Sequence, residues 1–226
     1  MKGTFVNGLA DGLFEKYYSD GSIMIKNTFV KGENIKEELY YKSGQLMGDF
    51  KENEDLKLYY DDGKLVMTYN DKTGESIIYH DNGNPFIATN TYESSIYNED
   101  NELLFKLENG KLVETGATLR KLNDGSFEYL KDNKVVARID SNLEIINYLY
   151  STGELMVSSN NTTGESEIFF KNGTTFMKKV GNKNVLNYRD GKTLYEIEGD
   201  SWNIYNEEGD NISSDFEVIT DIKKID

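Results

Sequence analysis

Tyr17-Tyr18-Ser19-Asp20-Gly21 decides the fold, because the chain keeps returning to it. It recurs as Tyr40-Tyr41-Lys42-Ser43-Gly44, Tyr59-Tyr60-Asp61-Asp62-Gly63 and Tyr79-His80-Asp81-Asn82-Gly83. Tyr97-Asn98-Glu99-Asp100-Asn101 follows with Asn in the glycine position, and Lys121-Leu122-Asn123-Asp124-Gly125 is a degenerate copy. The register resumes at Leu149-Tyr150-Ser151-Thr152-Gly153, Phe169-Phe170-Lys171-Asn172-Gly173, Asn187-Tyr188-Arg189-Asp190-Gly191 and Tyr205-Asn206-Glu207-Glu208-Gly209. Clean copies lie 18 to 23 residues apart, and self-similarity at such a period is the signature of a repeat architecture.

Each copy has one physical logic. An apolar run meets Asp-Gly, Asn-Gly or Ser-Gly, and a second apolar run begins, as in Ile23-Met24-Ile25, Leu46-Met47, Leu65-Val66-Met67, Leu103-Leu104-Phe105, Leu155-Met156-Val157 and Thr193-Leu194-Tyr195. Glycine takes positive φ without steric cost, and Asp or Asn tolerates the same region, so the pattern reads as a β-hairpin turn. Asn101 is the replacement such a turn best allows. None of the second runs carries sustained helical spacing. The expected fold is all-β: an elongated antiparallel meander of about ten successive β-hairpin repeats, a single domain over residues 1–226.

A longer period overlies the first. Thr73-Gly74-Glu75-Ser76 reappears 90 residues on as Thr163-Gly164-Glu165-Ser166, and the same offset carries Gly63 to Gly153 and Phe86 to Phe176. Residues 58–109 thus read as copied at 148–199. The stretch between, about 110–147, is irregular and suggests two halves joined at a bend or seam.

Gly3-Thr4-Phe5-Val6-Asn7-Gly8 followed by Asp11-Gly12-Leu13-Phe14-Glu15-Lys16-Tyr17-Tyr18-Ser19-Asp20-Gly21 resembles the bacterial MORN-variant repeat. In that family a G-x-[FY]-x-x-G strand and turn lead into D-G-x-x-x-x-Y-Y-x-x-G. The later copies lose the middle Asp-Gly. The resemblance implies stacked hairpins and no particular activity; relatives include exported proteins of unknown partner and some named as antitoxins.

Alternation of side chains along a strand sorts each aromatic pair by face. Counting back from the glycine, the third position (Tyr18, Tyr41, Tyr60, Tyr150, Phe170, Tyr188) and the fifth (Leu39, Leu58, Ile78, Ile96, Ile168, Leu186, Ile204) share the better packed face. The fourth position lies opposite, with Tyr17, Tyr40, Tyr59, Tyr79, Tyr97, Phe169 and Tyr205 among charged neighbours such as Glu15, Glu38 and Lys57. These seven are the candidate protein-binding residues: an exposed aromatic ladder suits recognition because it offers large area at low rotamer cost. The alternative is that cross-strand Tyr pairs simply hold the sheet together.

Charge and composition narrow the partners. A formal charge of −15, from 25 Lys and Arg against 40 Asp and Glu, repels phosphate backbones and anionic headgroups, so no nucleic-acid or membrane-surface role is expected. The same field would draw in a basic protein. No window is long and apolar enough to span a bilayer. Taken at face value Met1 implies a cytoplasmic protein; a signal peptide removed from ahead of it would imply export or the cell surface.

Chemistry is hard to find. There is no cysteine, hence no disulfide or thiolate site. His80, the one histidine, occupies an aromatic slot of its repeat, and Trp202, the one tryptophan, precedes a first strand as packing. No catalytic, cofactor-binding or metal residue is assigned, and no enzyme activity is expected. The expected role is an interaction scaffold or adhesin-like module, with an acidic immunity or antitoxin protein neutralising a basic toxin as the alternative. Oligomeric state is open.

Overall fold

The structure is a computed structural model that describes residues 3–51, 54–70, 72–109, 111–199 and 201–213. The described residues are all-β. A short hairpin, β1 (Phe5–Val6) and β2 (Leu9–Ala10), precedes an antiparallel sheet of β3 (Gly12–Tyr17), β4 (Ile23–Val30), β5 (Glu33–Tyr40), β6 (Leu46–Lys51), β7 (Leu56–Tyr59), β8 (Leu65–Tyr69), β9 (Ser76–Tyr79), β10 (Pro85–Thr89), β11 (Glu93–Tyr97), β12 (Leu103–Glu108) and β13 (Lys111–Thr115), in that spatial order. A second sheet runs, again in sequence order, through β14 (Thr118–Lys121), β15 (Phe127–Lys131), β16 (Lys134–Ile139), β17 (Ile145–Leu149), β18 (Leu155–Asn160), β19 (Ser166–Phe169), β20 (Thr175–Val180), β21 (Lys183–Asn187), β22 (Thr193–Glu198) and β23 (Ser201–Ile204). This is the meander of hairpins that the repeat implies. By contacts the chain forms two compact units, Met1–Ile96 with Glu108–Lys111, and Tyr97–Leu107 with Leu112–Asp215.

The turns explain the Asp-Gly and Asn-Gly anchors, with one correction to their logic. Gly21, Gly44, Gly63, Gly83, Gly153, Gly173 and Gly191 all have φ between 82 and 97°, and Asn101 takes 62° in their place. The preceding Asp or Asn is not in that region. It serves instead as an acceptor: Asp20 Oδ1 takes the Ser22 N–H at 3.0 Å, and Asp62, Asn82, Asp124, Asn172 and Asp190 repeat that bond two residues on. A side-chain acceptor that closes the turn locally is the Asx device, so Asp and Asn are selected here as hydrogen-bond acceptors.

Strand register builds the core one residue per strand. On the packed face of the first unit, Ile25, Leu39, Gly48, Leu58, Met67, Ile78, Ile87 and Ile96 lie opposite one another in turn across β4 to β11. In the second unit Tyr129, Ala137, Tyr148, Val157, Ile168, Met177, Leu186, Tyr195 and Ile204 do the same across β15 to β23. Burial holds the Tyr148 phenol up at about 12, with Tyr129 beside it adding to the effect.

A β-bulge recurs in each regular hairpin. Tyr17 pairs with Ile23 but Lys16 with Ile25, so Met24 is the extra residue. Met47, Val66, Phe86, Met156 and Phe176 occupy the same position in their hairpins, three residues after the anchor glycine. A bulge puts two successive side chains of one strand on the same side, and here that side is the core. Met24, Met47, Val66, Phe86, Met156 and Phe176 are each 5% exposed or less.

The described part of the irregular stretch, residues 111–147, folds as hairpins too, and the change from one sheet to the next lies inside it, between β13 and β14. Their difference is local. At the bulge position after Gly125 stands Glu128, and the register from Lys121↔Phe127 to Thr118↔Leu130 runs without a shift. The polar side chain is thereby turned to the other face. Trp202 lies within β23, not before a strand, and its side chain is outside the described residues. Among the described residues no helix is long and apolar enough to cross a membrane.

Candidate functional site

The two aromatics of each pair do divide by face. Tyr18, Tyr41, Tyr60, Phe170 and Tyr188 are buried on the packed face, while Tyr17, Tyr40, Tyr59, Tyr79, Tyr97, Phe169 and Tyr205 are half-buried on the opposite one; Tyr150, expected with the first group, is half-buried and Leu149 before it is buried. His80 takes the buried position in its hairpin, 5% exposed and stacked on Phe86 with ring centroids 4.8 Å apart. Its environment is that of a core side chain.

A hydroxyl links the second residue of the aromatic pair in one hairpin to the half-buried aromatic of the next. Tyr18 Oη donates to the Tyr40 carbonyl at 2.8 Å, and Tyr41 Oη to the Tyr59 carbonyl at 2.8 Å. Tyr150 to Phe169 and Tyr188 to Tyr205 repeat the bond at 2.8 Å. These contacts fix the backbone under the candidate surface residue. The sequence offered no sign of them beyond the second Tyr itself.

The half-buried aromatics are not direct neighbours. Tyr17 pairs with Ile23, Tyr40 with Leu46, Tyr59 with Leu65 and Tyr79 with Pro85. The next aromatic lies two strands away, roughly 9.6 Å at ordinary strand spacing. Cross-strand Tyr–Tyr pairing is therefore not what these residues do. The first unit presents instead alternating Tyr and aliphatic side chains across β3 to β10, all half-buried. The aliphatic half, Ile23, Leu46, Leu65 and Pro85, was missed in the sequence although it recurs two residues after each anchor glycine.

Alongside runs a charged row: Glu15, Lys26, Glu38, Asp49 and Lys57 face one another from β3 to β7. Its signs mix, so this face is not uniformly acidic. Tyr17 Oη donates to Glu15 at 2.6 Å, which raises the phenol above its ordinary value, and Lys26 Nζ lies 5.0 Å from the Tyr40 ring centroid. Tyr97, Phe169 and Tyr205 belong to the second unit. There the partner of Phe169 is Thr175 and that of Tyr205 is Asn211, so the apolar alternation is lost.

The second unit has two ionic clusters of its own. Glu128, 7% exposed, is held between Arg120 and Arg138 on the flanking strands, the latter by Nε at 3.2 Å. The Arg120 bond, then Arg138, keep the Glu128 carboxyl below its usual range. Glu99 accepts from Lys171 Nζ at 2.7 Å and from the Ser151 hydroxyl; partial burial works against ionisation there, and these bonds outweigh it. Among the described residues no group of three or more His, Asp or Glu could hold a metal ion.

Residues 10–31, from the end of β2 to the turn after β4, match the family model described as a MORN repeat variant. This segment is similar to a MORN variant repeat. Its hairpin carries the Tyr17–Tyr18 pair, the Gly21 turn and the Met24 bulge that the other regular hairpins repeat. No curated protein matches the chain. Among solved structures, the TCP10 domain of Danio rerio CPAP, in complex with a peptide of Danio rerio STIL, is 14% identical, with 89% of this chain and 97% of that one covered at a TM-score of 0.32. The CPAP G-box domain is 13% identical, covering 88% and 96% at 0.26. An alternansucrase in complex with isomaltononaose is 15% identical over 93% of this chain and 18% of that one, at 0.19.

Proposed function

We propose that this protein is a non-enzymatic scaffold that binds a protein partner through the Tyr–aliphatic row of its first unit. The observation that carries the reading is the row itself: Tyr17, Tyr40, Tyr59 and Tyr79 alternate with Ile23, Leu46, Leu65 and Pro85, half-buried, on a single sheet face. An apolar row rimmed by charge is the usual anatomy of an interface, with aromatic anchors supplying most of the energy. The net charge of −15 favours a basic partner, steered in by the long-range field. The same charge supports a second reading, an inhibitor of a basic toxin.

The test replaces Tyr40, Tyr59 and Tyr79 together with Ser. Loss of a salt-sensitive native partner with an unchanged melting temperature supports the scaffold. Loss of melting temperature with retained binding assigns the row to stability instead. Neutralisation of a co-encoded basic toxin would select the inhibitor reading.

A further inference from the structure

The packed face of the first unit opens into a cleft of about 460 Å³ away from the aromatic turns. Ile35, Phe50, Leu56 and Tyr69 supply apolar wall, and Asn34 and Glu37 supply polar atoms. Volumes of this order suit a small ligand. Strand register sets Glu37 between Asn27 on β4 and Phe50 on β6, on the face that Leu39 buries. A carboxylate there is out of place among core positions.

Its hydrogen bonding is thin. Glu37 Oε2 accepts one long bond, 3.4 Å, from Asn34 Nδ2, and the same amide reaches Oδ1 of the buried Asn27 at 3.4 Å. An ionised carboxylate has room for about four donors. Burial pushes the Glu37 carboxyl up to about 7, the Asn34 bond only partly opposing it.

Among the described residues, the neighbouring lysines on β5 and β6 are engaged with other carboxylates. Lys36 is engaged by Glu38 at 2.6 Å, and Lys51 by Glu54 at 3.2 Å and Asp49 at 3.7 Å. The residue facing Glu37 from β4 is the neutral Asn27, and from β6 the ring of Phe50. Lys36, Lys51, Lys72 and Glu54 also line the cleft, so its charge is mixed and Glu37 is the carboxylate set on the packed face.

We propose that this cleft binds a small organic cation with an apolar stem, its guanidinium or ammonium head on Glu37 and its stem against Phe50 and Tyr69. A guanidinium offers two in-plane N–H groups that a carboxylate accepts as a pair. Aromatic rings beside the head add a cation–π contribution. Because the cation binds the ionised form, it displaces the Glu37 proton, and affinity rises with pH until Glu37 is ionised without it. The site is independent of the Tyr–aliphatic row, which lies on the opposite face.

The experiment titrates the full chain calorimetrically with agmatine at about pH 6 and about pH 8, where the ionised fraction of Glu37 differs by roughly tenfold. Expected are saturable binding, about tenfold weaker at the lower pH, and proton release at the lower pH seen as a buffer-dependent enthalpy. Glu37→Gln should abolish both, while Tyr59→Ser should change neither. Absence of saturation, equal binding by a folded Glu37→Gln protein, or preference for propionate over agmatine overturns the proposal. If Glu37→Gln does not fold, the wild-type proton release decides alone: its absence is fatal.

Discussion

The hydroxyl of Tyr41 donates to the carbonyl of Tyr59 across 2.8 Å, joining the buried aromatic of one hairpin to the half-buried aromatic of the next. Removing that hydroxyl by Tyr41→Phe leaves ring packing intact and takes away a single bond. The expected loss is about 1 kcal/mol, or a melting shift of about 2–4 °C in a chain of this size. Partner binding should persist, since the surface ring of Tyr59 is untouched. Differential scanning calorimetry beside a binding titration checks both halves.

The bulge residues should be far less forgiving. Met47 and Met156 are 2% and 1% exposed and stand outside the ladder pairing, with side chains driven into the core. Truncation to Ala should cost about 2–5 kcal/mol at either position. Met47→Leu, which conserves volume, should stay within about 1.5 kcal/mol. Urea unfolding midpoints would separate the two.

Gly48 tests the same hairpin from the opposite direction. Its φ is ordinary, but a Cβ there would lie 2.7 Å from the Phe50 ring and 3.3 Å from Leu58. Gly48→Ala should therefore displace Phe50 and cost about 1–3 kcal/mol as overpacking. A changed Phe50 ring signal by NMR, with lowered stability, is the expected outcome.

Two carboxyls should give stability opposite pH dependences. Glu37 is raised when folded, so its contribution is fully present below the unfolded value of about 4.3 and fades as pH rises through about 7. Glu37→Gln should flatten the melting temperature over that window and raise it relative to wild type at mildly alkaline pH. Glu128 is lowered by Arg120 and Arg138. Its contribution is present above about 4.3 and is lost as pH falls through the folded value. Glu128→Gln should melt lower than wild type at neutral pH, the gap closing in acid.

Much of the fold was legible because glycine at positive φ and the period of two in a strand leave direct marks on sequence. The anchor glycines announced the turns, and Leu39 or Ile78 announced the packed face. The bulges were not legible. Met24 and Met47 sit in short apolar runs, where an extra residue and a paired one look alike, and only register distinguishes them. Glu37 was hidden within Lys36-Glu37-Glu38, a charged run that reads as solvated surface until alternation places its middle member opposite Phe50. The aromatic row was half seen: Tyr drew attention by its recurrence, whereas the position of Ile23, Leu46, Leu65 and Pro85 changes its residue type from hairpin to hairpin. Residues 111–147 looked irregular because Glu128 stands at a bulge position and Leu143 takes the left-handed turn position that glycine holds elsewhere, although the hairpins themselves persist.

The hydroxyl joint bears on how such a chain lengthens. At four places the outgoing group is a Tyr hydroxyl and the incoming group a backbone carbonyl, which any residue provides. A hairpin copied or deleted as a whole therefore meets the same chemistry on either side of the cut, and no compensating substitution is required. The 90-residue echo of Thr73-Gly74-Glu75-Ser76 in Thr163-Gly164-Glu165-Ser166 is the trace such an event would leave, with whole hairpins as the currency of change and single residues free to drift afterwards.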